Sequence, residues 1–435
     1  MLRGRCCFTR FRRTAQTPPH CDVVRLSHRQ TDRQTDSTTP QQQRHHHCYY
    51  RRASTEPFLA KNRLTSRSST PLHRPNPTQL NSSHHLTISQ PLRTTTMPTA
   101  RILTLNFFLR PPGISEPSSK GDWKGERATL FADLEFANYD IISFQETFGA
   151  LSDRRKKLIA AAKEKGFIYH AAGKVPSVAT LRIDAGLLVL SRFPVTVTEE
   201  WTFQRGTEIG DWFAAKGVLY SKIQLQAASE STKEKTLHLF STHFQSTDSP
   251  KALILRHKQY HQSKAFIDST LAKHAPKFNS DTDTVLFVGD MNVDARASGD
   301  DGVGHGREYL TMKEIYEGGS LGDGAKGEEK PANAASAPKY EIGDICYETM
   351  GEHPITTSRL RVGPNHEAPD RKCIDFILQF RPLSATAAPT DDTTTTTTTP
   401  PAVKFDRVRI EKFVIDNQPF SFLSDHFGVA ADLTW

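Results

Sequence analysis

The stretch VLFVGDMN, residues 285–292, runs an apolar strand directly into Asp290 and Asn292, and the pattern recurs along the chain. RILTLN closes on Asn106, DIISFQE on Glu146 and LFSTH on His243. Asp375 sits within KCIDFIL, and Asp425 and His426 introduce FGVAADL. Strand neighbours at i and i+2 point to one face, so Asp290 and Asn292 present two oxygen-bearing groups together. Each residue alone also has a plain structural reading. Asn and Asp close turns, Glu146 and Asp425 can cap helices, and His243 can be a satisfied core histidine. As a set they are more constraining, because strands of one sheet deliver their ends to a common edge where functional groups converge.

From Arg101 onward, short apolar runs alternate with amphipathic stretches. AGLLVLSRFPV, GVLYSKIQLQ, KTLHLFSTHFQ, CIDFILQF, FDRVRIEKFVI and FGVAADLTW join the runs above as predicted strands. ERATLFADLEFAN carries Leu130, Leu134 and Phe136 at near-helical spacing. DRRKKLIAAAKEKG predicts a helix closed by Gly166, and PKALILRHKQYHQSKAFIDSTLAKH a long helix with Pro250 at its start. Many strands and fewer helices predict an α/β architecture of two packed sheets with helices outside. Two segments interrupt it, a Gly/Ala/Lys-rich one near 318–339 and a Thr/Pro-rich one at 383–402, both expected as flexible insertions.

Charge separates the chain into two parts. Of 435 residues at net +8, residues 1–96 hold sixteen Lys and Arg against four Asp and Glu, which leaves −4 for 97–435. The basic balance therefore says little about what the folded part touches. Residues 1–96 are poor in aliphatics and rich in Arg, Ser, Thr, Gln, Pro and His, and are expected to be disordered. The Arg-rich, acid-free start is compatible with a transit peptide. Translation from Met97, with an artefactual upstream segment, is the other reading. Four of six cysteines lie in this extension; Cys346 and Cys373 alone make neither a disulfide framework nor a thiolate metal site. No run approaches the ~18 apolar residues of a membrane span, so any membrane contact is expected to be peripheral.

Asn, Glu, Asp and His without thiolates suit Mg²⁺, with Mn²⁺ as an alternative, better than zinc. One hard cation with two histidines describes metal-assisted displacement at phosphorus. LTLNFF, ISFQET, GLLVLSRFP, STHFQ, GDMNV, CIDFIL and SDHFG, in that order, resemble the endonuclease/exonuclease/phosphatase superfamily, over nearly all of 101–435. The resemblance implies a four-layer α/β sandwich (DNase I-like). It also implies roles: Glu146 as principal Mg²⁺ ligand with Asn106 beside it, and Asp425 as a metal-side acid. His426 is then the general base, Asp375 the carboxylate that orients it, and Asp290 with Asn292 the pair that positions water and phosphoryl oxygens. His243 contacts the phosphate or protonates the leaving oxygen.

Within the superfamily, LNFFLRPPG and GDMNV are similar to the neutral sphingomyelinases. GDWFAAKG places Asp211 and Lys216 where that group carries an Asp/Lys switch pair; an inconsequential loop ion pair is the other reading. The implied activity is Mg²⁺-dependent hydrolysis of sphingomyelin to ceramide and phosphocholine at a membrane surface, with no stable nucleic-acid partner. A nuclease or inositol-polyphosphate phosphatase on the same fold is the alternative. A non-catalytic binding module is disfavoured, because every catalytic position holds a competent residue type. Trp201, Phe203, Trp212 and Phe213 are expected to pack in the core or on strands, bilayer contact being the alternative.

Overall fold

The computed structural model describes residues 98–115, 122–297, 301–319, 340–361, 371–383 and 403–435, all within one compact unit. The extension at 1–96 lies outside the described residues. So do the insertions, apart from Gly318, Gly319 and Leu383 at their margins.

Two βαβ units organise the molecule. In the first, β1 (Thr99–Leu109) leads through α1 (Lys124–Leu134) to β2 (Ile141–Thr147), and β1 and β2 pair in parallel. In the second, β7 (Lys235–His243) leads through α4 (Pro250–His274) to β8 (Asp283–Asp290), again parallel. A parallel pair needs a long crossover, and a helix supplies it. Around these pairs grow two six-stranded sheets whose other neighbours are antiparallel. One has the order β11-β12-β1-β2-β4-β3, with β3 (Tyr169–Ala172), β4 (Leu188–Ser191), β11 (Lys404–Glu411) and β12 (Gly428–Thr434). The other is β5-β6-β7-β8-β10-β9, with β5 (Val195–Thr202), β6 (Gly217–Gln226), β9 (Tyr340–Asp344) and β10 (Asp375–Pro382).

Strand alternation divides the apolar residues among three cores, as four layers require. On β1, Leu103, Leu105 and Phe107 face α1 and α2 (Arg154–Glu164), whereas Ala100 and Ile102 face the second sheet. On β8, Leu286 and Val288 enter the aliphatic core between the sheets, and Val285 and Phe287 enter an aromatic core under α4 and α5 (Arg307–Glu317). Central strands buried on both faces read as continuous apolar runs, which is why RILTL and VLFV look as they do. The expected four-layer α/β sandwich is the observed one.

Local departures have identifiable causes. AGLLVLSRFPV is two strands: Pro194, which has no N–H for a ladder, separates β4 in one sheet from β5 in the other. On α1 the buried face is Arg127, Ala128, Phe131 and Ala132, while Leu134 is exposed and Phe136 belongs to a following 3₁₀ turn. Of the four aromatics expected to pack in the core or on strands, Phe203 is buried and Trp201, though exposed, packs from β5 against Phe266; Trp212 and Phe213 are exposed. Among the described residues no helix is long and apolar enough to cross a membrane.

Phe131 packs against Phe107, Phe136, Phe144 and Phe413 with ring centroids 4.8–5.6 Å apart. Phe131→Ala should cost about 3–5 kcal/mol, seen as a lower urea midpoint with an unchanged slope.

Candidate active site

Strand direction assembles the site. At one edge of the second sheet, His243 ends β7, Asp290 ends β8 and Asp375 begins β10, and in register His243 faces Asp290, which faces Asp375. In the first sheet Asn106 pairs with Gln145 just before Glu146, and β12 starts two residues after His426. Parallel strands contribute their C-terminal ends to this rim, and the antiparallel strands beside them contribute their N-terminal ends.

The sheets meet through side chains. Asn106, buried, donates from Nδ2 to Asp290 Oδ2 at 2.9 Å and to Glu146 Oε1 at 3.3 Å, and its Oδ1 accepts from the Phe108 N–H at 3.1 Å. Here the amide bridges two acids as a donor. His426 Nδ1 lies 2.9 Å from Asp375 Oδ2, and its Nε2 faces Asp290 Oδ2 at 3.9 Å. His243 Nε2 approaches the same Asp290 oxygen at 3.4 Å. Asp290 Oδ1 accepts from the Asn292 N–H at 2.9 Å. Asp425 joins this end of the molecule, close enough to Glu146, His426 and Arg127 for their charges to act on it. All eight residues expected at the centre thus lie at one rim.

Two of them sit on strained backbone. Glu146 has φ 55° and Asn292 φ 50°, left-handed conformations that cost roughly 1–3 kcal/mol each in non-glycine residues. Gly186 makes the first tolerable. A Cβ there would meet Glu146 Cα at 2.8 Å, and its bare carbonyl accepts from both the N–H and the hydroxyl of Thr147. Gly289, at φ +132°, likewise lets β8 pass Thr242 O, which a Cβ would approach to 2.2 Å.

The donor set fits a hard cation. Two buried carboxylate oxygens, Glu146 Oε2 and Asp375 Oδ1, have no hydrogen-bond partner among the described residues, a costly state for such groups. Burial pushes the Asp425 carboxyl up to about 7; His426 opposes the rise, and the charge of Glu146 adds to it. Asp290, Asp375 and His426 place donor atoms within 4.8 Å of one another, but Asp375 Oδ2 and Asp290 are already engaged by the imidazole and the two asparagines. On the side of Glu146 and Asp425 the charge of the first carboxylate raises the pKa of the second, against the opposing charges of His426, Arg127 and Arg110. Burial pulls the His426 pKa down, yet Asp375, Asp290 and Asp425 outweigh it and raise it well above the ordinary value. His243 goes the other way, to about 3, through burial and the nearby charge of Lys216, with Asp290 opposing. His243 is therefore neutral at ordinary pH.

Asp211 and Lys216 form a buried pair, not a loop pair on the surface. Asp211 lies on α3 (Ile209–Phe213), its Oδ1 2.8 Å from Lys216 Nζ, and its Oδ2 accepts from the N–H and hydroxyl of Ser246. Lys216 Nζ also donates to Phe244 O at 2.7 Å, the carbonyl that accepts from Asn292 Nδ2 at 3.1 Å. One carbonyl links the pair to the rim. Burial opposes ionisation of Asp211, but the charge and hydrogen bond of Lys216 prevail, helped by the Ser246 N–H, and hold it near 2.

Three supporting residues escape a sequence reading. The buried Arg127 guanidinium donates to the carbonyls of Asp122, Phe107, Phe108 and Leu423 at 2.7–3.0 Å, tying the end of β1 to the segment before Asp425. Its one signal is its place four residues before Phe131 on an apolar helix face. The Thr356 hydroxyl accepts from the N–H groups of Ile374 and Asp375, while its carbonyl accepts from Phe427, so it spans both halves of the Asp375–His426 dyad. The Ser424 hydroxyl donates to Asn106 O.

Lys216→Met should destabilise the fold by about 3 kcal/mol, the low end for a broken buried pair because Ser246 still donates to Asp211. The double variant with Asp211→Asn should recover part of that loss in denaturant melts. The depressed Asp211 pKa gives the sign of the pH dependence: its contribution is complete above the ordinary value of 3.8 and disappears as pH falls through about 2.

The chain is similar to several known proteins. A sphingomyelinase of Dictyostelium discoideum is 27% identical over 341 residues, covering 68% of this chain and 72% of that protein. A sphingomyelinase C of Leptospira interrogans is 29% identical over 206 residues, covering 44% of this chain and 30% of that protein. Among solved structures, sphingomyelinase C from Streptomyces griseocarneus has a TM-score of 0.47 at 22% identity, over 77% of this chain and 99% of that one. The model of the Endonuclease/Exonuclease/phosphatase family matches residues 103–426, from the first strand to the histidine that precedes the last, and the chain belongs to that family.

Proposed function

We propose that the protein is a Mg²⁺-dependent phosphodiesterase that cleaves sphingomyelin to ceramide and phosphocholine. The observation that carries the chemistry is the Asp375–His426 pair, 2.9 Å apart across two sheets, beside the partnerless carboxylate oxygen of Glu146. Support for the lipid comes from the Dictyostelium relative, of which this chain covers 72%, and from the buried Asp211–Lys216 pair.

Glu146 and Asp425, with Asn106 beside them, would hold the cation, which supplies positive charge for the phosphoryl oxygens and offsets the carboxylates around His426. Asp375 fixes the imidazole through Nδ1, leaving Nε2 to take a proton from the attacking water. Asn106 and the Asn292 N–H hold Asp290, and the Asn292 side chain is anchored on Phe244 O. Together Asp290 and Asn292 orient water and phosphate. His243, neutral and enclosed, contacts a phosphoryl oxygen through its N–H.

His426→Ala should lower kcat by about 10²–10⁴-fold with the fold intact; turnover near the parent level would remove His426 from the mechanism. Chelation with EDTA should abolish activity, and Mg²⁺ should restore it. The substrate is tested by supplying the full chain with Mg²⁺ and, in parallel, sphingomyelin vesicles, plasmid DNA and an inositol polyphosphate. Phosphocholine release with intact plasmid is expected; nicked DNA beside untouched lipid overturns the reading.

A further inference from the structure

Helix α3 is apolar on its outer face. Ile209, Trp212 and Phe213, at i, i+3 and i+4, share one side of it, and Ile209 is 83% exposed. Opposite them Asp211 points inward to Lys216. Beside the helix, Ile183 bridges to Ala214 and its N–H donates to Phe213 O at 2.9 Å, which brings Leu181, 66% exposed, alongside the same apolar face. Aromatic and aliphatic side chains are thus displayed together on one exposed face.

The rim of this face carries cations without counterions. Arg205 lies 4.0 Å over the Trp212 ring and donates to the carbonyls of Trp212 and Thr180. Arg182 donates to the carbonyls of Phe203 and Ala214. Neither guanidinium meets a carboxylate among the described residues. Partial burial, and after it the charge of Arg205, lowers the pKa of Arg182, so the two cations repel each other. Arg205 also lines an open groove of about 460 Å³ against the start of α4, with Lys251 and Ile254 on its far wall. All this stands on residues 97–435, whose net charge is −4.

We propose that this face is the surface by which the protein seats on a lipid bilayer bearing anionic headgroups. Ile209, Trp212, Phe213 and Leu181 enter the interface, and Arg182, Arg205 and Lys251 meet the phosphate layer. Side chains with an apolar body and a polar rim suit that boundary, and unpaired guanidiniums suit phosphate. The location fits as well. Through Asp211, Lys216 and Phe244 O, α3 is three contacts from Asn292, so the docking face is joined to the rim by a short run of buried contacts. The proposal rests on the reading of the substrate as a membrane lipid and names the surface that reading needs.

The test separates docking from catalysis. Full-length protein is sedimented with phosphatidylcholine vesicles, with and without phosphatidylserine and none containing sphingomyelin. Phosphatidylserine should raise the bound fraction, and high salt should reverse the gain. The exposed pair Ile209→Ser with Phe213→Ser should weaken binding roughly tenfold or more, while hydrolysis of a water-soluble chromogenic phosphodiester stays at the parent level. Arg205→Gln should reduce the response to phosphatidylserine. Unchanged vesicle binding by the double serine variant overturns the proposal. So does a variant whose altered property is loss of self-association in sedimentation velocity, which would assign the face to a protein interface. Vesicle binding by a parent protein that hydrolyses no phosphodiester leaves the docking surface standing and removes the proposed function instead.

Discussion

The direction in which strands run is the constraint on which the rest depends. Each sheet contains one parallel pair, and a helix crossover forces both members to end at the same edge. That puts Asn106 with Glu146 and His243 with Asp290, residue pairs separated by 40 and 47 positions. The antiparallel strands that flank them begin there, which brings Asp375 and His426 in from the C-terminal part of the chain. Face-to-face packing of the two sheets then closes the distance between edges, and Asn106 to Asp290 is the bond that crosses it. No local motif makes this site; topology does.

The stability terms at the rim run against function, and the scaffold opposes them. Left-handed Glu146 and Asn292, and buried carboxylate oxygens and a His243 ring nitrogen without hydrogen-bond partners among the described residues, are all unfavourable in isolation. They persist where the surroundings over-determine the geometry. Gly186 and Thr147 fix one strained residue, and Phe244 O with Asp290 fixes the other. Arg127 and Thr356 hold the backbone of the approaching segments. A cation at the carboxylates would relieve the charge crowded there, so binding it would also stabilise the rim.

Much of this arrangement was legible in the sequence, for a physical reason. A polar residue ending an apolar strand is a local signal, and β-structure has period two, so the placement of Glu146, His243, Asp290, Asn292, Asp375 and His426 at or beside strand ends could be read directly. Asn106, by contrast, lies inside β1, which runs three residues further past an irregularity in its pairing. What could not be read are groups whose partners are backbone atoms. Phe244 contributes a carbonyl that any residue would possess, and Thr356 lies in a segment without period. Arg127 looks like one more helix charge until the carbonyls it satisfies are brought to it by the fold. The α1 face went astray for the same reason: a buried arginine replaced an expected leucine. At α3, aromatics expected in a core turned outward because Asp211 claims the inner face of a helix only five residues long.

The hydrogen bonds around Lys216 have a mechanical corollary. Phe244 O accepts from the lysine and also from Asn292, and Asp211 accepts from the lysine and also from both donors of Ser246. Each acceptor therefore keeps a companion when the ammonium group departs. The carbonyl and the carboxylate are thus each held from two sides, so neither loses its last hydrogen bond with any single donor, although Asp211 has its ion pair in the lysine alone.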